Sequence, residues 1–237
     1  MTGQRAASLL MVLGLAACAA PPAAPVGPVL PEGLDHGRIA DGVYHDKRDW
    51  YSVSVPFHPD EPGFATLSVS EAYPAGVSYV AFIPNYTGGE YYRVYIEDFY
   101  ATNQPVPALP KAADMAMDFF GKQLVQQRLE RLKLVEEKPW TAGDSSGYLR
   151  LYTEKVPIEL ILQNLGMAED YTAYMLIYVT ARNGKVAVVW TEWPVGCAPC
   201  RPVPAGPPAK SGNPIEQAVA QNARALQFIT SFRYGPG

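Results

Sequence analysis

The sequence has little cysteine, histidine or charge. Its 237 residues include 3 cysteines and 3 histidines. That is too few for a disulfide-dense scaffold or a cysteine-rich metal centre. Only 18% of residues are charged and the net charge is -4. No lysine/arginine stripe lies outside the short stretch 128–133, which speaks against a nucleic-acid surface. Beyond the N-terminus no apolar run is long enough to span a bilayer, and no internal repeat is found. What is present is an ordinary globular core composition, 48% hydrophobic, with prolines and glycines gathered into a few stretches. The balance fits one domain plus tails.

The clearest local signal is a hairpin. Residues 171–182 and 185–193 are β-rich runs joined by Asn183-Gly184, a pair suited to a type I′ turn because both central residues need positive φ. That turn sets Val186 opposite Ala181, Val188 opposite Val179 and Trp190 opposite Ile177, an apolar face. The other face (Thr180, Tyr178, Leu176, Ala187, Val189 and Thr191, with Arg182 and Lys185) reads as mixed and half-wet. Alternation predicts further strands at 51–55, 65–69, 77–83, 91–99, 132–140 and 147–153. The period changes between Lys111 and about Arg131, where Ala113, Met117, Phe120 and Leu124 mark a long helix. A short helix is predicted over 157–165. A second long one is predicted from Asn213, as cap, with Pro214 in its first turn, to Arg233. The expected fold is α/β of the α+β type: one mostly antiparallel sheet of six to eight strands flanked by two long helices and one short helix.

Residues 6–15 form an apolar stretch of signal-peptide length after Arg5, ending in Leu15-Ala16-Ala17-Cys18. This resembles the lipobox of bacterial lipoproteins. The resemblance implies cleavage before Cys18 and lipidation of that cysteine; Ala19 in place of aspartate implies sorting to the outer membrane. The competing reading is an ordinary secretory signal with Cys18 incidental. Two or more acyl chains would anchor stably, at about 0.8 kcal/mol per buried CH₂. The expected organisation is a signal peptide over 1–17, the lipidated cysteine and a Pro/Ala-rich tether over 18–40, and one domain over 41–237, facing the periplasm.

Between Tyr44 and Arg233 a second likeness emerges. A strand ending at Pro56, a later helix, Gly147-Tyr-Leu-Arg-Leu, the hairpin segment Tyr178-Val-Thr-Ala-Arg-Asn-Gly-Lys-Val186 and the closing Ile229-Thr-Ser-Phe-Arg233 together resemble the PsbP-like α/β/α sandwich. Members of that family are mostly adaptors or assembly factors. The resemblance therefore implies a non-catalytic binding or assembly module for an envelope protein complex, attached to the membrane by its lipid.

Chemistry-bearing candidates are few. Cys197-Ala-Pro-Cys200 is expected to close a disulfide in an oxidising compartment, contributing ~2 kcal/mol by loop entropy. The alternative is a thiol–disulfide oxidoreductase, since Cys-x-Pro-Cys resembles the thioredoxin motif. Such chemistry needs the first cysteine at a helix N-terminus, and Arg201-Pro-Val-Pro-Ala-Gly-Pro-Pro208 cannot start a helix. Gly143-Asp-Ser-Ser-Gly147 reads as a turn, not a protease nucleophile segment: Ser146 stands where that pattern has glycine. His36, His45, Asp46, Asp49, His58 and Asp60 lie close in sequence without ligand spacing; solvated polar residues are expected, and a small-ligand or metal binder is the remaining alternative. No catalytic set, cofactor or metal site is expected. Seven tyrosines (Tyr86, Tyr91, Tyr95, Tyr148, Tyr152, Tyr174 and Tyr178) stand beside polar neighbours and are the candidate partner-binding surface.

Overall fold

A computed structural model describes residues 36–57, 61, 67–84, 90–112, 114–115, 131–156, 171–195 and 212–236. Two antiparallel sheets dominate. The larger contains β4 (Leu67–Ala72), β5 (Val77–Pro84), β6 (Tyr91–Asp98), β7 (Leu132–Ala142), β8 (Ser145–Val156), β9 (Tyr171–Arg182) and β10 (Lys185–Val195), in the order β4-β5-β6-β10-β9-β8-β7. It is two meanders, β4 to β6 and β7 to β10, joined where β10 pairs with β6. The smaller sheet has the order β1 (Arg38–Ala40), β2 (Val43–His45), β3 (Tyr51–Ser54) and β11 (Arg233–Tyr234). Two helices, α1 (Pro214–Val219) and α2 (Ala223–Ser231), precede β11.

The hairpin register is as read from the sequence: Val186 faces Ala181, Val188 faces Val179 and Trp190 faces Ile177. Asn183 and Gly184 have φ of 50° and 76°, the positive values a type I′ turn demands. The expected wet face, however, is dry. Thr180, Tyr178, Leu176, Ala187, Val189 and Thr191 are fully buried. Leu176, Tyr178, Ala187 and Val189 belong to the main core, which gathers Tyr44, Tyr51 and Val53 from the small sheet with Phe228, Ile229 and Phe232 from the C-terminal segment. Two polar groups on this face are met locally: the Thr180 hydroxyl donates to the Ser146 carbonyl at 2.8 Å, and the Tyr178 hydroxyl to that of Ser145. The other face carries a second cluster, with Ile177, Val179, Val188 and Trp190 at its centre and Phe99 and Ala112 packed on it.

The expectation of one sheet flanked by two long helices and a short one is corrected on two counts. First, there are two sheets, because the N-terminal strands β1 to β3 and β11 cover the main-core face instead of extending the large sheet. Second, the helices described are short. The closing helix is broken: Asn222 leaves helical space (φ -145°, ψ 93°) and its side chain accepts the Ala225 amide, so it caps α2 afresh. The six-residue α1 starts as expected, with the Asn213 side chain accepting the Glu216 amide at 3.1 Å. Glu136 of β7 also accepts the Ile215 amide at 2.9 Å, a carboxylate at a helix N-terminus. Of the expected helix near Lys111, residues 109–112 and 114–115 are helical; the remainder up to residue 130, and the predicted helix at 157–165, lie outside the described residues.

One close approach fixes the sheet's spacing. Gly147 on β8 stands against β9, and an added Cβ would strike the Val179 carbonyl. That contact is backbone and cannot rotate away. Gly147→Ala should therefore lower stability in urea denaturation by about 3 kcal/mol, the upper range for overpacking. Gly42→Ala, with φ of +73° but open space around it, should lower stability by only about 1–2 kcal/mol, through added backbone strain. A loss below about 1 kcal/mol at Gly147 would contradict this packing.

Candidate functional site: a basic and aromatic cleft

The six described candidate tyrosines divide between the two faces of the large sheet. The pairing places Tyr91, Tyr95, Tyr148 and Tyr152 on the face that carries Trp190, and Tyr174 and Tyr178 on the main-core face. Tyr86 lies outside the described residues. Tyr95 is buried and donates to Glu97 at 2.9 Å; burial, then the Glu97 charge, pushes its phenol well above its usual range. Tyr152 is buried beside Arg150. Tyr91 and Tyr148 are half-buried. The Arg93 guanidinium lies over Tyr91 at 4.6 Å and over Trp190 at 5.0 Å, and pairs with Glu192 at 3.6 Å. This face is thus a packed layer with charges embedded in it, not an open groove among the described residues.

A concave site lies instead at the tip of the central hairpin. Three chain segments converge there: Arg48, Asp49 and Trp50 from the β2–β3 turn, Arg182, Asn183 and Lys185 from the tip, and Tyr234, Gly235 and Pro236 from the C-terminal segment. The cleft has a volume of about 290 Å³.

The β2–β3 turn is built by Asp46. Its buried carboxylate accepts the Arg48 amide at 3.0 Å, the Trp50 amide at 3.2 Å and the Ser78 hydroxyl at 2.5 Å. An aspartate that accepts amides two and four residues ahead is a side-chain mimic of a backbone turn. It fixes the backbone at Arg48 and Trp50. The C-terminal segment is tied down from both sides: the Gly235 amide donates to the Trp50 carbonyl at 2.7 Å, and the Tyr234 hydroxyl to the Thr180 carbonyl at 2.9 Å. All three walls are therefore fixed by backbone-directed hydrogen bonds.

The cleft lining carries three cations, Arg48, Arg182 and Lys185, and one carboxylate, Asp49. Arg48 spends its guanidinium hydrogens on neutral carbonyls, those of Val77 at 2.8 Å, Tyr73 at 3.0 Å and Pro74 at 3.2 Å, so its charge is oriented without being neutralised. Its Cζ lies 4.8 Å from the Trp50 ring and Lys185 Nζ lies 5.4 Å from the same ring, favourable cation–π positions. Lys185 pairs loosely with Asp98 at 3.7 Å. Arg182 meets Asp144 at 2.9 Å. The Asp144 carboxyl sits below its usual range, first through a bond from its own backbone amide and further through Arg182 and the Ser145 hydroxyl. Arranged this way, the site sets Trp50 and Tyr234 beside charged groups that are each held by a neighbour. Among the described residues it presents no nucleophile paired with a base.

Of the acidic and histidine residues noted near the domain start, Asp46 organises the turn and Asp49 lines the cleft. His45 lies on β2, and His58 and Asp60 fall outside the described residues. Among the described residues no group of three or more His, Cys, Asp or Glu side chains could hold a metal ion. Gly143 and Asp144 form the turn between β7 and β8. Cys18, Cys197 and Cys200 lie outside the described residues. Sequence reasoning missed the cleft, whose three walls come from residues 48–50, 182–185 and 234–236, far apart in the chain. The local signal available was Asp46-Lys-Arg-Asp-Trp50 between two short β-rich runs.

Replacing the Asp46 carboxylate tests how the cleft is built. Asp46→Asn keeps one acceptor oxygen where two serve three donors. It should lower stability by about 1–3 kcal/mol in urea denaturation, the range for buried hydrogen bonds to a charged group. Ser78→Ala should cost less, because a single donor is removed. Equal stability of Asp46→Asn and the parent would show that the turn is held by other contacts.

No family model matches the sequence, and no curated protein matches it. Among solved structures, the chain is similar to cyanobacterial PsbP (CyanoP) from Synechocystis sp. PCC 6803, determined in solution, at 12% identity, over 86% of this chain and 95% of that one, with a TM-score of 0.41. It is a PsbP-like neighbour in outline, and at that score it carries nothing into the reading of the site.

Proposed function

We propose that this protein is a non-catalytic binding or assembly module of the bacterial cell envelope. It is held at the outer membrane by a lipid on Cys18 and faces the periplasm, where it engages an envelope protein complex. The observation that carries the reading is the make-up of the cleft: Trp50, Tyr234, Arg48 and Arg182 on firmly tied segments. Tryptophan, tyrosine and arginine dominate the energetics of protein–protein contacts, because they combine large apolar area with directed polar groups. In this reading Tyr91 and Tyr148 are further partner contacts, and Cys197 and Cys200 form a structural disulfide.

The test is purification of the intact, lipidated protein from its native membrane in mild detergent, with amine-directed crosslinking and mass spectrometry. Lys185 places an amine in the cleft. The expected result is a stoichiometric envelope protein crosslinked through or beside the cleft. A monomeric protein carrying only lipid would sink a stable assembly role.

A further inference from the structure

We infer that Asn183, at the tip of the central hairpin, is a site of covalent modification: it loses its side-chain amide through a succinimide, at a rate set by the clamp that Phe99 and Tyr100 place on Gly184. This chemistry is intrinsic to the chain and does not rest on the binding-module reading.

The reaction needs no co-reactant but water. The Gly184 backbone nitrogen attacks the Asn183 side-chain carbonyl carbon. A new carbon–nitrogen bond closes a five-membered imide, the bond from that carbon to the side-chain nitrogen breaks, and ammonia leaves with the proton that Gly184 gives up through solvent. Water then opens the imide at either carbonyl. The product is aspartate, or isoaspartate with the main chain routed through the former side chain. Glycine makes the attack feasible, since no Cβ crowds its nitrogen, and Asn183-Gly184 is the single Asn-Gly pair of the sequence. Asn183 is exposed, so water and base reach it.

The folded turn opposes the first step. Attack needs the face of the Gly184 nitrogen turned toward the side chain, whereas a type I′ turn, with φ of 50° and 76°, holds that peptide plane in its own fixed orientation. The plane must swing about the Asn183 Cα–C bond and carry Gly184 with it. Two contacts resist the swing. The Phe99 amide donates to the Gly184 carbonyl at 3.0 Å, and the Tyr100 ring lies so close to Gly184 that an added Cβ would strike it. The clamp has its own anchor: the Asp98 carboxylate accepts the Tyr100 and Ala101 amides, each at 3.0 Å, and the Gln104 amide returns to the Phe99 carbonyl at 2.9 Å. Gly184 is accordingly buried beside an exposed asparagine. Tyr100 thereby has a role despite 66% exposure.

Conversion changes the cleft, because Asn183 lines it along with Arg182 and Lys185. Either product adds a negative charge there. Isoaspartate also inserts an extra main-chain carbon into a two-residue turn on which the hairpin register depends.

The experiment incubates the full-length protein in dodecyl maltoside micelles at mildly alkaline pH. Peptide mass spectrometry follows Asn183, with electron-transfer fragmentation to tell aspartate from isoaspartate. The rate should follow the population of the opened tip, so urea should speed conversion of the parent by about tenfold or more. Tyr100→Ala should raise the native rate by about threefold or more, and Tyr100→Phe, which keeps the ring, should leave it unchanged. Gly42→Ala lowers stability outside the clamp and should also leave the rate at the parent's. Circular dichroism checks that each variant is folded. Native conversion of the parent as fast as in urea overturns the inference, since no clamp then operates. So does Tyr100→Ala converting at the parent's rate. Equal acceleration by Gly42→Ala overturns it too, because conversion then runs through global unfolding, and so does conversion confined to other asparagines.

Discussion

The fold depends on one constraint: the central β9–β10 hairpin has no face turned to water. Its twenty-odd side chains alternate between two cores, so neither face can be left bare. A single covering layer would leave Trp190, Ile177 and Val188, or else Tyr178, Leu176 and Val189, in solvent. Each large apolar side chain so exposed would forfeit about 1.5–3 kcal/mol. The small sheet and the C-terminal helices solve one side. On the other, the chain leaving β6 folds back through Phe99 to Ala112.

Burial on both faces also explains where the ionic groups lie. Arg93 and Glu192 sit opposite one another's neighbours on adjacent strands, both nearly buried, with the guanidinium sandwiched over Tyr91 and Trp190. Arg150 reaches Glu137 across the β7–β8 pairing and Asp114 beyond the sheet. Arg224 joins Glu61 and Glu90 near Tyr92 and Asn222. A charge this deep is costly unless met by a counter-charge and hydrogen bonds. The arginines inside the domain are accordingly occupied in holding it together. Those lining the cleft differ: Arg182 at the hairpin tip is paired in water and Arg48 of the β2–β3 turn is anchored by carbonyls.

The long alternating segments were readable in the sequence. Asn183-Gly184 announced its own turn, and the flanking runs were long enough to fix the register residue by residue. Strands β1, β2 and β11 were not readable, since two or three residues give no period to detect. Asp41-Gly42 between β1 and β2, with φ of 50° and 73°, was the hint. The supposed wet face misled because threonine and tyrosine look polar in a sequence, whereas here Thr180 and Tyr178 find backbone carbonyls of β8 and go dry. Asn222 hid a helix break inside an apolar stripe, since a capping asparagine and a surface asparagine look alike until the backbone is seen. The cleft was the least legible feature. Asp46, Asn183 and Tyr234 are ordinary turn and strand residues until the topology brings them together.

Native-state hydrogen exchange on the full-length protein tests this account most directly. If the doubly buried hairpin is the structural keystone, amides of Leu176 to Thr180 and of Ala187 to Thr191 should exchange only through global unfolding, more slowly than those of the outer strands β4 and β7. Exchange of the hairpin by local opening, at rates equal to or above those of the outer strands, would contradict it.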